Sequence, residues 1–253
     1  MKSLQSINFK NKKALIRVDF NVPLNAQFQV TDSTRIVSAK PTIMKVLEDG
    51  GSCILMSHLG RPESKESAFS LKHIVRTLET VLGVEVLFSS SCIGEEAQKF
   101  CDNLKPGQIL LLENLRYHSD ETRGSENFAK ELSKLGDFYI NDAFGTAHRA
   151  HASTTIIAKF FPENRCFGSL LAQEIESIDK VMQTGEKPVL AILGGAKVSS
   201  KITIIDNILN KVDHLIIGGG MTFTFVKAQG GSVGDSICED DKMELALQIL
   251  ERA

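Results

Sequence analysis

The chain has 253 residues, with 29 Lys and Arg against 31 Asp and Glu, so its formal net charge is -2 with neutral histidines. This balance gives no general attraction for nucleic acid or an anionic membrane, so any cationic site must be local. Five widely spaced cysteines without a CxxC pair suggest neither a disulfide framework nor a zinc site. Charges throughout the first twenty residues and the lack of a long apolar run predict a soluble, cytoplasmic protein.

Seven short apolar runs predict strands, and segments of helical periodicity lie between them. The strands are expected at 13–20, 52–58, 84–88, 108–115, 138–143, 188–195 and 214–219. This alternation predicts parallel sheets with helices on both faces, and the continuous apolar character of the strands fits burial on both faces. Between them, segment 70–83 is expected to be a helix with Ser70 as its N-cap and Gly83 at its C-terminal end.

A long helical pattern at 168–184 ends just before the strand predicted at 188. We interpret it as a connector, which gives three predicted parts: a domain at 1–168, a connector helix at 169–186 and a second domain at 187–253. Five predicted strands fall in the first domain and two in the second, whereas a typical sheet has about five or six. The last helix has no C-cap before residue 253. The second domain is therefore expected to be incomplete in this chain.

Basic side chains collect directly after four of the predicted strands. Ligands of open parallel sheets bind outside the carboxyl ends of the strands, and arginine offers paired planar donors that match carboxylate and phosphate oxygens. The pattern therefore predicts a site for a small polyanion, although any one arginine could instead be a surface ion-pair partner. The residues at these ends are Asp19, Asn21, Arg35, His58, Arg61, Arg116, His118, His148, Arg149 and His151.

Two glycine-rich segments, AILGGAKVSSKI at 191–202 and IGGGMTFTF at 217–225, mark the second domain. Glycines allow close approach of a ligand, and amides opening a helix at Ser199 could hold phosphate oxygens, although the P-loop pattern GxxxxGK[ST] is absent. If that helix begins by Lys197, then Lys197 and Lys201 share a face near its N-terminus, where a phosphate chain would compensate their charge. The alternative is a glycine-rich turn followed by a solvated helix.

Seven segments together resemble the phosphoglycerate kinase family. They occur in family order over essentially the whole chain: RVDFNVP at 17–23, DSTRI with PTI at 32–36 and 41–43, SHLGRP at 57–62, LLENLRYH at 111–118, NDAFGTAHRAHAS at 141–153, LGGAKVSSKI at 193–202 and IGGGMTFTF at 217–225. The resemblance implies an α/β fold with two Rossmann-like parallel-sheet domains across a cleft, the second truncated here. It implies that the N-terminal domain binds 3-phosphoglycerate or 1,3-bisphosphoglycerate and that the C-terminal domain binds Mg-ADP or Mg-ATP.

The resemblance also implies roles for individual residues. The acid site would comprise Asp19, Asn21, Arg35, His58, Arg61, Arg116 and Arg149. The nucleotide site would comprise Gly195, Ala196, Lys197 and Lys201, with Gly219 and Gly220 beside the base. Within these sets, His58 and Arg61 are expected to hold the non-transferred phosphate, and Arg35 and Lys197 are the expected catalytic residues. Lys201 is expected to bind the nucleotide phosphates.

The implied reaction is reversible phosphoryl transfer between 1,3-bisphosphoglycerate and ADP, and the protein is expected to act on these small molecules as a monomer. In two respects the sequence departs from the family. Ser200 stands where many members carry an acidic residue, and the GGGD segment with the magnesium ligand and the WNGP segment have no counterpart, so no metal ligand is named. This chain alone is expected to bind 3-phosphoglycerate without turnover.

Two other functions remain open on the sequence. A non-catalytic anion-binding protein, or an inactive fragment that retains the kinase N-terminal domain, would explain Ser200 and the missing segments. A dinucleotide-dependent oxidoreductase is disfavoured because no predicted strand is followed by GxGxxG with an acidic residue downstream.

Overall fold

A computed structural model describes residues 3–253, and the chain divides into two compact units. The first unit is Met1–Glu174 and the second is Ile175–Ala253. The division falls inside one helix, α7 (Ser169–Thr184), so a continuous helix links the two units.

The first unit is built on a six-stranded sheet in which every neighbouring pair is parallel, which confirms the predicted α/β class. Its strands are β1 (Lys13–Arg17), β2 (Ser52–Met56), β3 (Val86–Ser89), β4 (Ile109–Leu112), β5 (Phe138–Asn141) and β6 (Arg165–Phe167), in the spatial order β3-β4-β2-β1-β5-β6. The prediction of five strands was wrong by one. The edge strand β6 has three residues, too few to give an apolar run that stands out in the sequence.

Helices cover both faces of this sheet, and the apolar residues of each strand alternate between two cores. Ile16 lies in the core beneath the first two helices, whereas its neighbour Leu15 lies in the core on the opposite face. Each fully buried aliphatic side chain contributes about 1.5–3 kcal/mol relative to exposure. The helices of this unit before α7 are α1 (Thr34–Glu48), α2 (Val75–Leu82), α3 (Glu95–Asn103), α4 (Ser119–Arg123), α5 (Glu126–Ser133) and α6 (Phe144–Ala147), with a π-helical turn at Ala152–Ile156.

The helical segment predicted at 70–83 is present, but its first turn is tighter than expected. Leu71–Ile74 form a 3₁₀ turn, and α2 follows it with Gly83, whose φ is 76°, as its C-cap. Ser70 caps the segment as predicted, because its Oγ accepts from the Lys72 amide at 3.2 Å. The buried carboxylate of Glu113, after β4, accepts from the Leu71 amide at 2.8 Å and from Ser70 Oγ at 2.7 Å. This contact fixes the start of the segment to the sheet.

The N-terminus of α7 is held by two side chains of the first unit. The Ser169 amide donates to Thr42 Oγ1 at 2.8 Å, and the Leu171 amide donates to Asp142 Oδ1 at 3.1 Å. Asp142 is fully buried, and its Oδ2 has no hydrogen-bond partner within residues 3–253. A Cβ at Gly168 would lie 2.2 Å from the Asp142 carboxyl carbon, so only glycine fits there. Burial raises the pKa of Asp142.

The second unit contains a two-stranded parallel sheet of β7 (Leu190–Gly194) and β8 (His214–Gly218). Its further helices are α8 (Ile202–Ile208), α9 (Met221–Ala228) and α10 (Met243–Arg252), with a 3₁₀ turn at Asp240–Lys242. Their core is formed by Val198, Ile205, Met221, Phe225, Ala246 and Ile249. The expectation of strands buried on both faces is wrong here, because Ile192 is 70% and Ile216 is 50% exposed. The alternate strand residues Leu193, Leu215 and Ile217 pack against the helical core of the unit.

All five cysteines are free thiols, and four of them are buried in the first unit. Burial raises the pKa of Cys101 and of Cys166 to about 12. Of the helices in the described part of the chain, none is both long enough and apolar enough to span a bilayer.

We expect Asp142→Asn to gain stability relative to the wild type as the pH rises. The folded-state pKa of Asp142 lies above the unfolded value of about 3.9, so the contribution of its protonation to stability is present below about pH 4 and is lost as the pH rises through the folded pKa. Asparagine keeps an oxygen for the Leu171 amide and does not titrate. Urea unfolding of both proteins between pH 3.5 and pH 7 measures the difference, and a constant or falling difference would contradict this assignment.

Candidate functional site

The seven side chains predicted as an acid site line one cavity of about 360 Å³ in the first unit. They follow β1, β2, β4 and β5, which are adjacent in the sheet, so their loops meet at its carboxyl edge. Gly60, Gly145 and Thr146 complete the wall. The seven residues that the structure brings together are Asp19, Asn21, Arg35, His58, Arg61, Arg116 and Arg149.

Positive charge dominates this cavity. Its carboxylate, Asp19, is engaged by Arg35, whose Nη1 donates to Asp19 Oδ2. Arg35 is half-exposed, so the pair adds little to stability, but it orients the guanidinium. Burial lowers the pKa of Arg116, and the nearby Arg149 adds to this effect by repulsion. An arginine remains charged at any cellular pH, so the cavity has a surplus of cations that suits a small polyanion.

The loop that carries His58 and Arg61 is fixed by polar contacts on both sides. The Gly60 amide donates to Asn21 Oδ1 at 2.8 Å, and the Gly60 carbonyl accepts from Arg116 Nη1 at 2.5 Å. Asn114, which is fully buried, donates from Nδ2 to the Leu59 carbonyl at 2.7 Å. Asn21 and Arg116 therefore position this loop as well as lining the cavity.

His58 is buried and uncharged. Its Nδ1 accepts a hydrogen bond from Arg17 Nη2 at 3.1 Å. Burial lowers the pKa of His58 to about 2, and the positive charges of Arg17 and Arg116 add to the shift. His58 thus offers the cavity a hydrogen bond and no charge, so the arginines must neutralise a bound anion.

Three residues behind His58 were not predicted as part of the site. Arg17, on β1, is almost completely buried, and its Nε donates to Ser153 Oγ at 2.9 Å while its Nη1 donates to the Val18 carbonyl. Ser153 Oγ in turn donates to Glu121 Oε1 at 2.6 Å. The sequence did carry one sign of this arrangement, a charged residue inside the apolar run KALIRVDF. Arginine is almost never fully buried without partners, so its place in that run indicates buried partners.

Three other histidines named from the strand ends do not line the cavity. The His118 ring packs against Phe128 with 4.8 Å between ring centroids, and burial lowers the pKa of His118. His148 is exposed, and His151 is buried with its Nδ1 3.8 Å from Glu121 Oε1. These residues contribute to packing or to the surface near the site.

In the second unit, the turns after β7 and β8 meet closely. The Met221 amide donates to the Gly195 carbonyl at 2.8 Å. Gly219 has a φ of +73°, and a Cβ on it would lie 2.9 Å from the Gly195 carbonyl oxygen. A Cβ on Gly220 would lie 3.2 Å from the Ala196 carbonyl oxygen, and one on Gly195 would lie 3.4 Å from Lys201 Cε. Five of the six predicted nucleotide residues therefore meet here.

The remaining member, Lys197, is exposed on the turn after β7, and the helix predicted around it begins later than expected. Helix α8 starts at Ile202, so both lysines precede it and the condition for a shared helical face is not met. The predicted start at Ser199 was also wrong, because residues 199–201 form a turn before α8. The Ser199 amide donates to Glu239 Oε2 at 3.0 Å, and its Oγ donates to Oε1 at 2.6 Å. Ser200 Oγ donates to the Lys197 carbonyl at 2.9 Å.

Comparison with known sequences places the chain in a family. A sequence profile described as phosphoglycerate kinase matches residues 4–253. The chain belongs to the phosphoglycerate kinase family. Phosphoglycerate kinases from Porphyromonas gingivalis and Chlorobium chlorochromatii are 47% and 49% identical to it, over 99% and 100% of this chain. The chain itself spans 66% and 64% of the length of those two relatives.

Solved structures of the family share the fold. The phosphoglycerate kinase of Coxiella burnetii has a TM-score of 0.84 and 39% identity, covering 99% of this chain and 63% of the other. That of Pyrococcus horikoshii has a TM-score of 0.83 and 28% identity, covering 99% and 65%. This chain therefore has the same arrangement of strands and helices as its relatives in the phosphoglycerate kinase family, over about two thirds of their length.

In this phosphoglycerate kinase family chain we expect Gly60→Ala to destabilise the cavity loop. Gly60 has a φ of +62°, and a Cβ there would lie 2.3 Å from the Phe69 ring. Left-handed strain plus overpacking should lower the free energy of unfolding by about 2–5 kcal/mol. Gly83→Ala is the matched control, because it has a φ of +76° with nothing within 4 Å. Urea unfolding should show the larger loss for Gly60→Ala, and equal losses would contradict a clash with Phe69.

Proposed function

We propose that this chain is the acid-binding unit and part of the nucleotide-binding unit of a phosphoglycerate kinase. The proposed reaction is the reversible transfer of a phosphoryl group between the acyl phosphate of 1,3-bisphosphoglycerate and ADP, which gives 3-phosphoglycerate and ATP. One observation carries the proposal: four arginines from separate elements converge on a single cavity whose carboxylate is already paired with Arg35. Membership of the family and the names of the relatives support the same reaction.

In the proposed complex, the acid binds in the cavity of the first unit. Arg61, Arg116 and Arg149 would surround the non-transferred phosphate, and these three arginines also line an adjoining cavity of about 700 Å³. His58 would donate a hydrogen bond as a neutral ring. Arg35, oriented by Asp19, would contact the carboxyl group and the charge that develops in the transition state. Asn21 would hold the loop of His58 and Arg61 in place.

No general base is required for this reaction. The acceptor in the direction of ATP consumption is a carboxylate, which is ionised at neutral pH because a carboxyl pKa is near ~4. Catalysis then rests on the positioning of the two substrates and on fixed positive charges around the transferring group. We propose that Lys197 contacts the transferring phosphoryl oxygens and that Lys201 binds the nucleotide phosphates.

The glycine turns of the second unit are the proposed nucleotide site. Gly195, Ala196, Gly219 and Gly220 leave backbone without side chains larger than methyl after β7 and β8, which permits close approach of a ligand. The nucleotide is proposed to enter as its Mg²⁺ complex, as a substrate. Over residues 3–253 no group of three or more His, Cys, Asp or Glu side chains is arranged to hold a metal ion, so no residue in this range is proposed as a magnesium ligand.

We also propose that the protein acts on these small molecules as a monomer in the cytoplasm. The near balance of charges gives no general affinity for nucleic acid or membranes. The free thiols suit a reducing compartment.

We expect Arg61→Ala to weaken binding of 3-phosphoglycerate by the 253-residue chain and to leave any affinity for ADP unchanged. Loss of one charge-assisted contact costs about 1.5–3 kcal/mol, or roughly ten- to a hundredfold in affinity. Arg76→Ala is the control, because Arg76 is exposed on α2 and removes the same charge away from the cavity. Isothermal titration calorimetry measures both ligands, and an equal loss in Arg76→Ala would show a general charge effect instead of a site.

For Lys197→Ala we expect a fall in turnover that exceeds the change in either Michaelis constant. The phosphoryl group in transit carries its distinctive charge distribution only in the transition state, so its partner contributes mainly to turnover. Steady-state kinetics should be measured on a protein that joins this chain to the remaining length found in its relatives, with the exposed Lys211→Ala as control. Unchanged turnover with weaker nucleotide binding would make Lys197 a ground-state contact.

A further inference from the structure

A network of buried polar side chains extends from the anion cavity into the core of the first unit. Arg17 lies at its centre and donates through three different nitrogens, to Ser153 Oγ, to the Val18 carbonyl and to His58 Nδ1. A buried guanidinium is costly unless its donors are satisfied and its charge is balanced. These contacts therefore fix the orientation of the Arg17 guanidinium. They also fix the direction from which the guanidinium contacts the His58 ring.

The contact between Arg17 and His58 determines where the imidazole proton sits. A guanidinium has only donors, so His58 Nδ1 must accept and cannot carry a proton. The ring is neutral because burial and the neighbouring cations lower the pKa of His58 to about 2. A neutral imidazole has one proton on its two nitrogens, so a ring without a proton on Nδ1 carries the proton on Nε2. Nε2 is then the nitrogen that can donate a hydrogen bond to a ligand.

Ser153 and Glu121 determine the orientation of Arg17 in turn. The Ser153 hydroxyl donates to Glu121 Oε1 at 2.6 Å, so its lone pairs are left for Arg17 Nε. The Ser153 amide donates to Glu121 Oε2 at 3.0 Å, which fixes the carboxylate by a second contact. Glu121 is 1% exposed, and its negative charge balances that of Arg17. Neither Glu121 nor Ser153 lines the cavity.

We propose that Glu121 and Ser153 are positioning residues that act through Arg17 to hold His58 as the neutral Nε2–H tautomer facing the anion cavity. That the anion is 3-phosphoglycerate rests on the proposed function, whereas the tautomer does not. If the Ser153 hydroxyl were removed, Arg17 would lose one hydrogen-bond acceptor and its fixed orientation. His58 could then carry its proton on Nδ1 and present a lone pair to an anionic oxygen, which would repel the ligand.

Of the charged and titratable groups near His58, Arg17 is the one that determines which ring nitrogen carries the proton. Arg35 and Arg116, which reach the cavity from α1 and from the loop after β4, are cations that oppose protonation of the ring, and His151 is a further nearby imidazole. Burial lowers the pKa of His151 as well. The carboxylate that lines the cavity, Asp19, is paired with Arg35, and His58 Nδ1 is in contact with Arg17.

The decisive experiment observes His58 directly in the wild-type 253-residue chain without ligand. Long-range ¹H–¹⁵N NMR of histidine-labelled protein distinguishes the two neutral tautomers and the imidazolium, and His58→Gln identifies the resonance by its loss. We expect the Nε2–H tautomer without titration between pH 5.5 and pH 8. An Nδ1–H ring or a charged ring would overturn the inference, whether or not the chain binds 3-phosphoglycerate.

Variants then test the two positioning residues. Ser153→Ala should give His58 a mixture of tautomers and weaken 3-phosphoglycerate binding by about three- to tenfold, as expected for one lost hydrogen bond. Ser153→Thr, which keeps the hydroxyl, should restore both properties, and Glu121→Gln should resemble Ser153→Ala. The control is Ser89→Ala, because Ser89 is equally buried but donates to the Ser91 carbonyl.

The outcomes separate this inference from the proposed function. An unchanged His58 spectrum in both Ser153→Ala and Glu121→Gln, or equal effects in Ser89→Ala, would overturn the positioning role. A wild-type chain with the expected tautomer that fails to bind 3-phosphoglycerate would overturn the proposed function and leave the positioning role standing.

Discussion

The burial of the Arg17 guanidinium is the constraint on which the first unit depends. Desolvating one ion costs several kcal/mol, so the fold must supply acceptors and an opposite charge at the end of β1. Glu121 on α4, Ser153 in the π-helical turn and His58 after β2 supply them. Four segments distant in sequence must therefore converge before Arg17 can be buried, and the cavity lies where they converge.

The strand order explains how a nearly neutral chain creates a strongly cationic site. The four strands β4, β2, β1 and β5 are neighbours, so the arginines that follow them point to one place although they are up to 114 residues apart, from Arg35 to Arg149. Buried polar side chains, such as Asn114 and Glu113, then tie the loops to the sheet and to the next helix. Loops that are supported in this way do not need to be ordered by a ligand at the moment of binding.

Sequence patterns predicted the first sheet and its cavity residues because apolar runs that end in arginines are local signals. They missed β6, whose three residues form no run. They placed the helix at Ser199 too early because the acceptor of its amide, Glu239, is 40 residues away. The charge of Arg17 inside an apolar run indicated buried partners, but the run could not say which ones, because Ser153 is 136 residues away. Contacts between distant side chains leave no periodic pattern in a sequence.

The cysteines give the first unit a chemical property beyond its fold. Oxidants and alkylating agents attack the thiolate, and burial keeps Cys53, Cys92, Cys101 and Cys166 protonated and out of reach while the unit is folded. Unfolding exposes all four thiols together. Modification of these thiols therefore has to wait for the first unit to unfold, so a substitution that destabilises the unit would speed their oxidation at any given concentration of oxidant.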